Sequence, residues 1–369
     1  MSTARKARAA VVRKTGAPWT IEDVEVAAPR EDEVLVRMVG TGICHTDIAC
    51  RTGFPVPMPI VLGHEGAGVI EEIGAKITGL KVGDHVVLSF DSCGKCHNCE
   101  QHQPAYCFDF YPRNLAGTRS VDGSATVTSD GAPLNAVFFC QSSFATYAIA
   151  REVNTVLIDK DLPLEIMGPL GCGIQTGAGA AVNALGVKAG DSLAIFGGGA
   201  VGLSAMLGAR AVNAGTVIVV EPNVARGKLA LELGATHVIN PKEMTDVLAE
   251  IKRLCGGVNY AIDTTGIPAV MAVAIEALLP RGVLGLLGVP PADATLPGNL
   301  FSMLVRGVGA RYIVEGDSNP QEFIPRMIGW YKAGKFPFDR LVKKFPFEQI
   351  NEAAHASETG EVIKPVLVF

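Results

Sequence analysis

Residues 192–211 read "SLAIFGGGAVGLSAMLGARA". The first five form a short apolar run that stops at glycine, as a buried strand does, and the last twelve are rich in helix-favouring alanine and leucine. Across the join, Gly197, Gly199 and Gly202 fit G-x-G-x-x-G. In a chain with 42 glycines that pattern alone is weak. The strand before it and the helix after it give it meaning, because small residues there let backbone N–H groups and a helix N-terminus approach a pyrophosphate. Ala200 and Val201 complete the turn, and Glu221 closes the next strand, "TVIVVE", at the separation suited to a ribose contact. A carboxylate there accepts bonds from a ribose hydroxyl and repels a 2′-phosphate, so NAD is expected over NADP. Arg226, five residues on, pulls weakly the other way.

Outward from this turn the same rhythm continues. "HVIN", "NYAIDTTG" and "VLGLLGV" alternate with the helical runs "NVARGKLALELG" and "PAVMAVAIEALL", which argues for a parallel sheet covered by helices. "VLGLLGV" reads equally as a buried strand or as one that pairs across a subunit boundary. Before residue 168 the pattern differs: "VLVRMV", "GVIEEIG", "DHVVLSF" and "SFATYAIA" are short strands between Gly/Pro turns. The α/β class therefore takes the form of a β-rich domain joined to a doubly wound parallel sheet. After residue 312 come two amphipathic segments and a terminal strand, "KPVLVF", expected to return to the first domain. The expected boundaries are 1–173 with 313–369, and 174–312.

A chain of 369 residues, 48% hydrophobic and 19% charged, suits two globular domains. Its 32 basic and 37 acidic residues leave a charge of −5 with no basic stretch, so nucleic acid is not an expected partner. The basic start, "MSTARKARAAVVRK", lacks the apolar core of a signal peptide, and no apolar run reaches about 18 residues. A soluble, cytoplasmic protein without membrane contact is expected. Nine cysteines, an odd number with four tightly clustered, then point to metal or catalysis rather than disulfides.

The cluster is "CGKCHNCEQHQPAYC", with Cys93, Cys96, Cys99 and Cys107 at C-x2-C-x2-C-x7-C. Four thiolates so spaced can close a tetrahedron around Zn2+ with no position left for chemistry, whereas ferredoxin cysteines follow other spacings. His97 and His102, inside the lobe, read as solvated. Other candidate ligands are scattered: Cys44 in "TGICHTDIACRTG", His64 and Glu65 in "VLGHEGAG", and Cys172 in "GPLGCGIQTG". Each also has a bland reading, since a buried cysteine packs as a small hydrophobe. Spacing leaves the choice open.

At these residues the sequence resembles the zinc-dependent medium-chain alcohol dehydrogenases over essentially its whole length. The resemblance rests on "GICHTD", "GHEGAG", the cysteine lobe, "GCGIQTGAGA", "GGGAVGL" with Glu221, and "VIKPVLVF". It implies a GroES-like first domain, a Rossmann-type NAD domain and two zinc ions per chain. Cys44, His64 and Cys172 would hold a catalytic zinc, and the four lobe cysteines a structural one. By motif position Thr46 accepts the alcohol proton, Asp47 bonds the His64 ring and Glu65 sits behind the metal. His45 and Lys364 would face the cofactor pyrophosphate, with Thr176 and Val289 at further cofactor positions. The stretches 45–66, 93–117 and 138–152 look most like bacterial aryl-alcohol (benzyl alcohol) dehydrogenases. That implies reversible oxidation of aromatic or allylic primary alcohols by a homodimer or homotetramer, with Phe90, Phe138 and Phe139 as candidate pocket walls. The rivals are a zinc dehydrogenase of aliphatic alcohols, polyols or a glutathione adduct, and a silent homologue keeping only the structural zinc. One departure stands out: the histidine that ends the proton relay in many relatives is Ala49 here.

Overall fold

The computed structural model describes residues 4–369. The described residues form two compact units, one holding residues 4–172 with Asn319–Pro325 and Asp339–Phe369, the other Gly173–Ser318 with Arg326–Phe338. Gly173 and residues 313–318 and 326–338, expected with the first domain, group with the second unit.

The first unit is built on two sheets. In the smaller, Ile60–Val61, Arg5–Val12, Thr20–Val26, Val127–Ser129 and Ala132–Leu134 lie side by side, all antiparallel. The larger runs Thr155–Ile158, His85–Leu88, Gly66–Ile73, Glu33–Gly42, Lys364–Val368, Val342–Pro346, with Tyr147–Arg151 also paired to Glu33–Gly42. Glu33–Gly42 is buried on both faces. Val34, Val36 and Met38 pack with Ile70, Val86 and Leu88, while Leu35 faces a second core with Val11, Phe138 and Phe144, as period-two alternation dictates. The terminal strand returns here as expected, pairing Val366 with Gly42 and Val368 with Gly40. Ile43 N–H donates to the Pro365 carbonyl at 2.9 Å, which brings Lys364 beside Cys44.

The second unit is a six-stranded parallel sheet in the order His237–Ile239, Thr216–Val220, Ser192–Phe196, Val258–Asp263, Leu278–Leu286, Gly309–Tyr312. In chain order that is 3-2-1-4-5-6, the doubly wound arrangement whose ligands sit where the order reverses. The reversal falls beside Ser192–Phe196, the strand that leads into the glycine turn. Leu278–Leu286 lies inside the sheet, and Gly309–Tyr312 forms its edge. Among the described residues no helix is long and apolar enough to cross a membrane.

Candidate active site

Glu33–Gly42 delivers the chain to Cys44, whose extended backbone (φ −107°, ψ 156°) caps the helix His45–Thr52. The cap is closed by Asp47, the third helical residue, whose Oδ2 accepts the Cys44 N–H at 2.9 Å. Oδ1 of the same buried carboxylate accepts the Gly63 N–H at 3.0 Å and faces His64 Nδ1 at 2.9 Å. With Oδ1 already accepting an N–H, Asp47 faces the imidazole as an acceptor, which puts the ring proton on Nδ1 and the lone pair on Nε2. That Nε2 is buried with no hydrogen-bond partner among the described residues. The ligand atoms of Cys44, His64 and Cys172 all lie within 4.8 Å of one another. Two thiols and an oriented imidazole around an orphaned lone pair fit zinc with a fourth position left for a substrate oxygen. A bond from the Cys172 thiol, aided by His64 and working against burial, holds Cys44 well below the usual thiol range. The thiolate is the form a metal binds.

Glu65 and Lys364 form a buried pair beside this triad. The Lys364 ammonium donates to Glu65 Oε1 at 2.8 Å, Oε2 at 3.0 Å and the Ile43 carbonyl at 3.3 Å. Its three donors are thus taken, and the residue is 2% exposed. Lys364, expected at a cofactor pyrophosphate, is thus paired with Glu65. Burial pushes the Glu65 carboxyl up, with Lys364 opposing. Burial also works against the ammonium, but Glu65 outweighs it and raises Lys364. Thr46 Oγ1 stands 3.8 Å from the Cys44 sulfur, and His45 is exposed on the first helical turn.

Two of the three expected aromatic walls lie on the imidazole. Phe139 stacks on His64 with centroids 4.6 Å apart and planes at 27°, and Phe138 meets it edge-on at 5.3 Å and 83°. Phe90 packs instead on Phe110, at 5.9 Å.

In the cysteine lobe, the ligand sulfurs of Cys93, Cys96, Cys99 and Cys107 likewise lie within 4.8 Å of one another. Cys96 and Cys93 stand 3.5 and 3.9 Å from Cys99, against about 3.8 Å for an ideal tetrahedron with Zn–S of about 2.3 Å. N–H groups of Cys93 and Cys96 donate to the sulfurs of Cys107 and Cys93 at 3.2 and 3.3 Å. Backbone bonds from Phe108 and Cys99 lower Cys96 to about 6, and burial pushes Cys107 up to about 12. His97 is exposed and His102 bonds Glu322 at 2.9 Å, so neither joins the cluster.

In the second unit Gly197 takes φ +102°, and a side chain on Gly202 would collide with the Gly197 carbonyl. Only glycine lets the helix Ala200–Ala211 pack so near its strand. Glu221 is buried at the end of Thr216–Val220, accepting the Gly198 N–H at 2.5 Å and the Asn223 N–H at 2.7 Å. Beside it lies a cavity of about 330 Å3, lined by Phe196, Val220, Pro222, Pro241, Ile267 and Val270 among others. Its apolar walls suit a flat heterocycle. Arg226 lies on the helix Val224–Glu232, Val289 is 84% exposed, and the Thr176 hydroxyl bonds Glu315 at 3.3 Å.

Residues 30–160 match the alcohol dehydrogenase GroES-like domain, and residues 200–332 match the zinc-binding dehydrogenase family. A geraniol dehydrogenase of Castellaniella defragrans is 55% identical across 98% of both chains. The chain belongs to the zinc-dependent medium-chain alcohol dehydrogenases. Two solved structures agree, each covering 99% of both chains. One is an alcohol dehydrogenase zinc-binding domain protein from Burkholderia ambifaria (TM-score 0.97, 50% identity), the other benzyl alcohol dehydrogenase from Acinetobacter calcoaceticus (TM-score 0.95, 45% identity).

Several residues of this dehydrogenase's sites escaped sequence reasoning. Pro222, Pro241 and Ile267 carry a faint signal, each following the carboxyl end of a strand. Gln141 and Asn154 carry none, although both are buried beside the triad's supporting loops.

Proposed function

We propose that this alcohol dehydrogenase oxidises conjugated primary alcohols, aromatic or allylic, to aldehydes with NAD as hydride acceptor. The observation that carries this reading is the buried donor set Cys44, His64 and Cys172, whose imidazole is stacked by Phe139 and met edge-on by Phe138. Two of its relatives are named for geraniol and benzyl alcohol. In both alcohols the carbinol carbon adjoins a flat sp2 carbon, which a stacked wall orients better than a saturated chain. Glu221, buried with two backbone donors, supports NAD over NADP by charge.

Bound zinc supplies the Lewis acid that weakens the alcohol's hold on its proton, and bound nicotinamide supplies the hydride acceptor. The chain's own residues do the rest. Asp47 fixes the His64 tautomer, Thr46 stands next to Cys44 to take the proton, and Phe138 and Phe139 exclude water from one side. Ala49 offers no imidazole for the onward step, which leaves water or the exposed His45.

The apolar, exposed helix Leu300–Arg306 supports a homodimer or homotetramer. Its Leu300, Phe301, Leu304 and Val305 are 70–79% exposed, a patch that monomers seldom carry. Nine cysteines, none of the described ones in a disulfide, support a reducing compartment such as the cytoplasm.

The test is a substrate panel of benzyl alcohol, geraniol, ethanol, sorbitol and S-hydroxymethylglutathione, each with NAD and NADP. Reduced cofactor is followed by absorbance. The expected kcat/KM for the first two with NAD exceeds that of the others by about tenfold or more. A preference for ethanol, sorbitol or the glutathione adduct sinks the substrate reading, and a preference for NADP sinks the role of Glu221.

A further inference from the structure

Three non-glycine residues within four positions, Phe139 (φ +50°), Cys140 (φ +52°) and Ser142 (φ +46°), take left-handed backbone. Side chains disfavour that region, so surrounding structure must hold the loop there. Ser142 Oγ accepts the Phe138 N–H at 2.9 Å and donates to the Val61 carbonyl at 2.7 Å. Asn154 Nδ2 donates to the carbonyls of Ser89 and Cys140, both at 3.1 Å.

Gln141 makes the widest tie. Its Nε2 donates to the carbonyls of His64 at 3.0 Å and Ser89 at 3.1 Å, and its Oε1 accepts the Gly66 N–H at 3.0 Å. Two carbonyls and one N–H around the amide leave one sensible orientation, with each end matched. The side chain is 1% exposed. It therefore joins three segments: the turn that carries His64, the strand end that leads into Phe90, and the loop that lays Phe138 and Phe139 on the imidazole. Asp47 grips the His64 ring from the helix side, and Gln141 grips its main chain from the loop side.

We infer that Gln141 is a positioning residue for His64 and its aromatic wall, so that deleting its amide loosens metal binding at the triad and not at the cysteine lobe. The inference rests on the reading of Cys44, His64 and Cys172 as zinc ligands. Gln141 itself touches neither metal nor substrate. It acts by keeping a strained loop in register with the ligand it covers.

The variant Gln141→Met keeps the length of the side chain and removes all three bonds. Wild-type and variant holoenzymes are incubated with dipicolinate, zinc per chain is followed by mass spectrometry, and steady-state constants are measured alongside. Both proteins should start with two zincs, and the variant should lose one about tenfold faster than wild type. The second zinc should leave both at the same rate, and KM for benzyl alcohol should rise while KM for NAD holds. Unchanged loss, or equal acceleration of both zincs, overturns the inference, because a merely structural role would not distinguish the two sites. If the single variant does not fold, the same comparison is made in a Cys140→Gly background, where glycine takes the left-handed backbone without strain. A wild type that holds one zinc overturns the ligand reading itself, a failure distinct from the others.

Discussion

The cysteine lobe draws all four of its sulfurs from residues 93–107, and most of them are half exposed. The triad draws on residues 44, 64 and 172, lies buried, and owes its geometry to a helix cap, a buried ion pair and a strained loop. Both sets bring their ligand atoms within 4.8 Å of one another. Ligands a few residues apart meet at small entropic cost, and short loops with N–H···S bonds keep them there. Ligands far apart meet only if a whole sheet delivers them. The lobe should therefore be insensitive to changes elsewhere in the fold, and the triad should register them.

The most severe way to break this contrast is Cys172→Ser. Alcohol oxidation should be lost, and metal analysis should find one zinc per chain instead of two, with the lobe still filled. Loss of both zincs would mean that the sites are not independent. Next in size is Lys364→Met, which leaves the Glu65 carboxylate buried without its counter-charge. Denaturant unfolding should show a loss of about 3–5 kcal/mol, largely restored in Lys364→Met/Glu65→Leu. A loss confined to NAD affinity would instead support the pyrophosphate role.

Asp47→Asn should weaken zinc retention at the triad, or kcat/KM, by about 10–100-fold. The lobe's zinc should be unaffected. The smallest effect concerns thiol reactivity in the zinc-stripped chain. With Cys96 lowered to about 6, its thiolate fraction, and hence its alkylation rate, should rise as pH passes through about 6. Cys50, pushed up to about 12 by burial and by Asp47 and Cys44, stays protonated and should resist alkylation at pH 8. Mass spectrometry of iodoacetamide-treated protein reads both, and early labelling of Cys50 would overturn its place in the core.

The glycine turn shows how much of this could be read in advance. Gly197 and Gly202 are spaced by local requirements, a left-handed turn and a close helix approach, so the pattern survives in one dimension. The lobe is legible for the same reason. Cys44 and Asp47 are three residues apart and share one helix cap, yet nothing in their spacing shows that the same carboxylate also holds Gly63 and His64. A motif position likewise says nothing about which way the Lys364 ammonium turns. The partner that decides it, Glu65, lies 299 residues away.

By itself, then, the sequence determined the parts whose physics is local: the strand–turn–helix of the nucleotide half and the four-sulfur lobe. Only the tertiary structure decided which lone pair of His64 is orphaned, that Lys364 neutralises Glu65, and that Gln141 ties three segments behind the imidazole. Those are contacts between residues whose order along the chain carries no trace of their distance. They exist because burial leaves each polar group to find its partner wherever the fold has placed one.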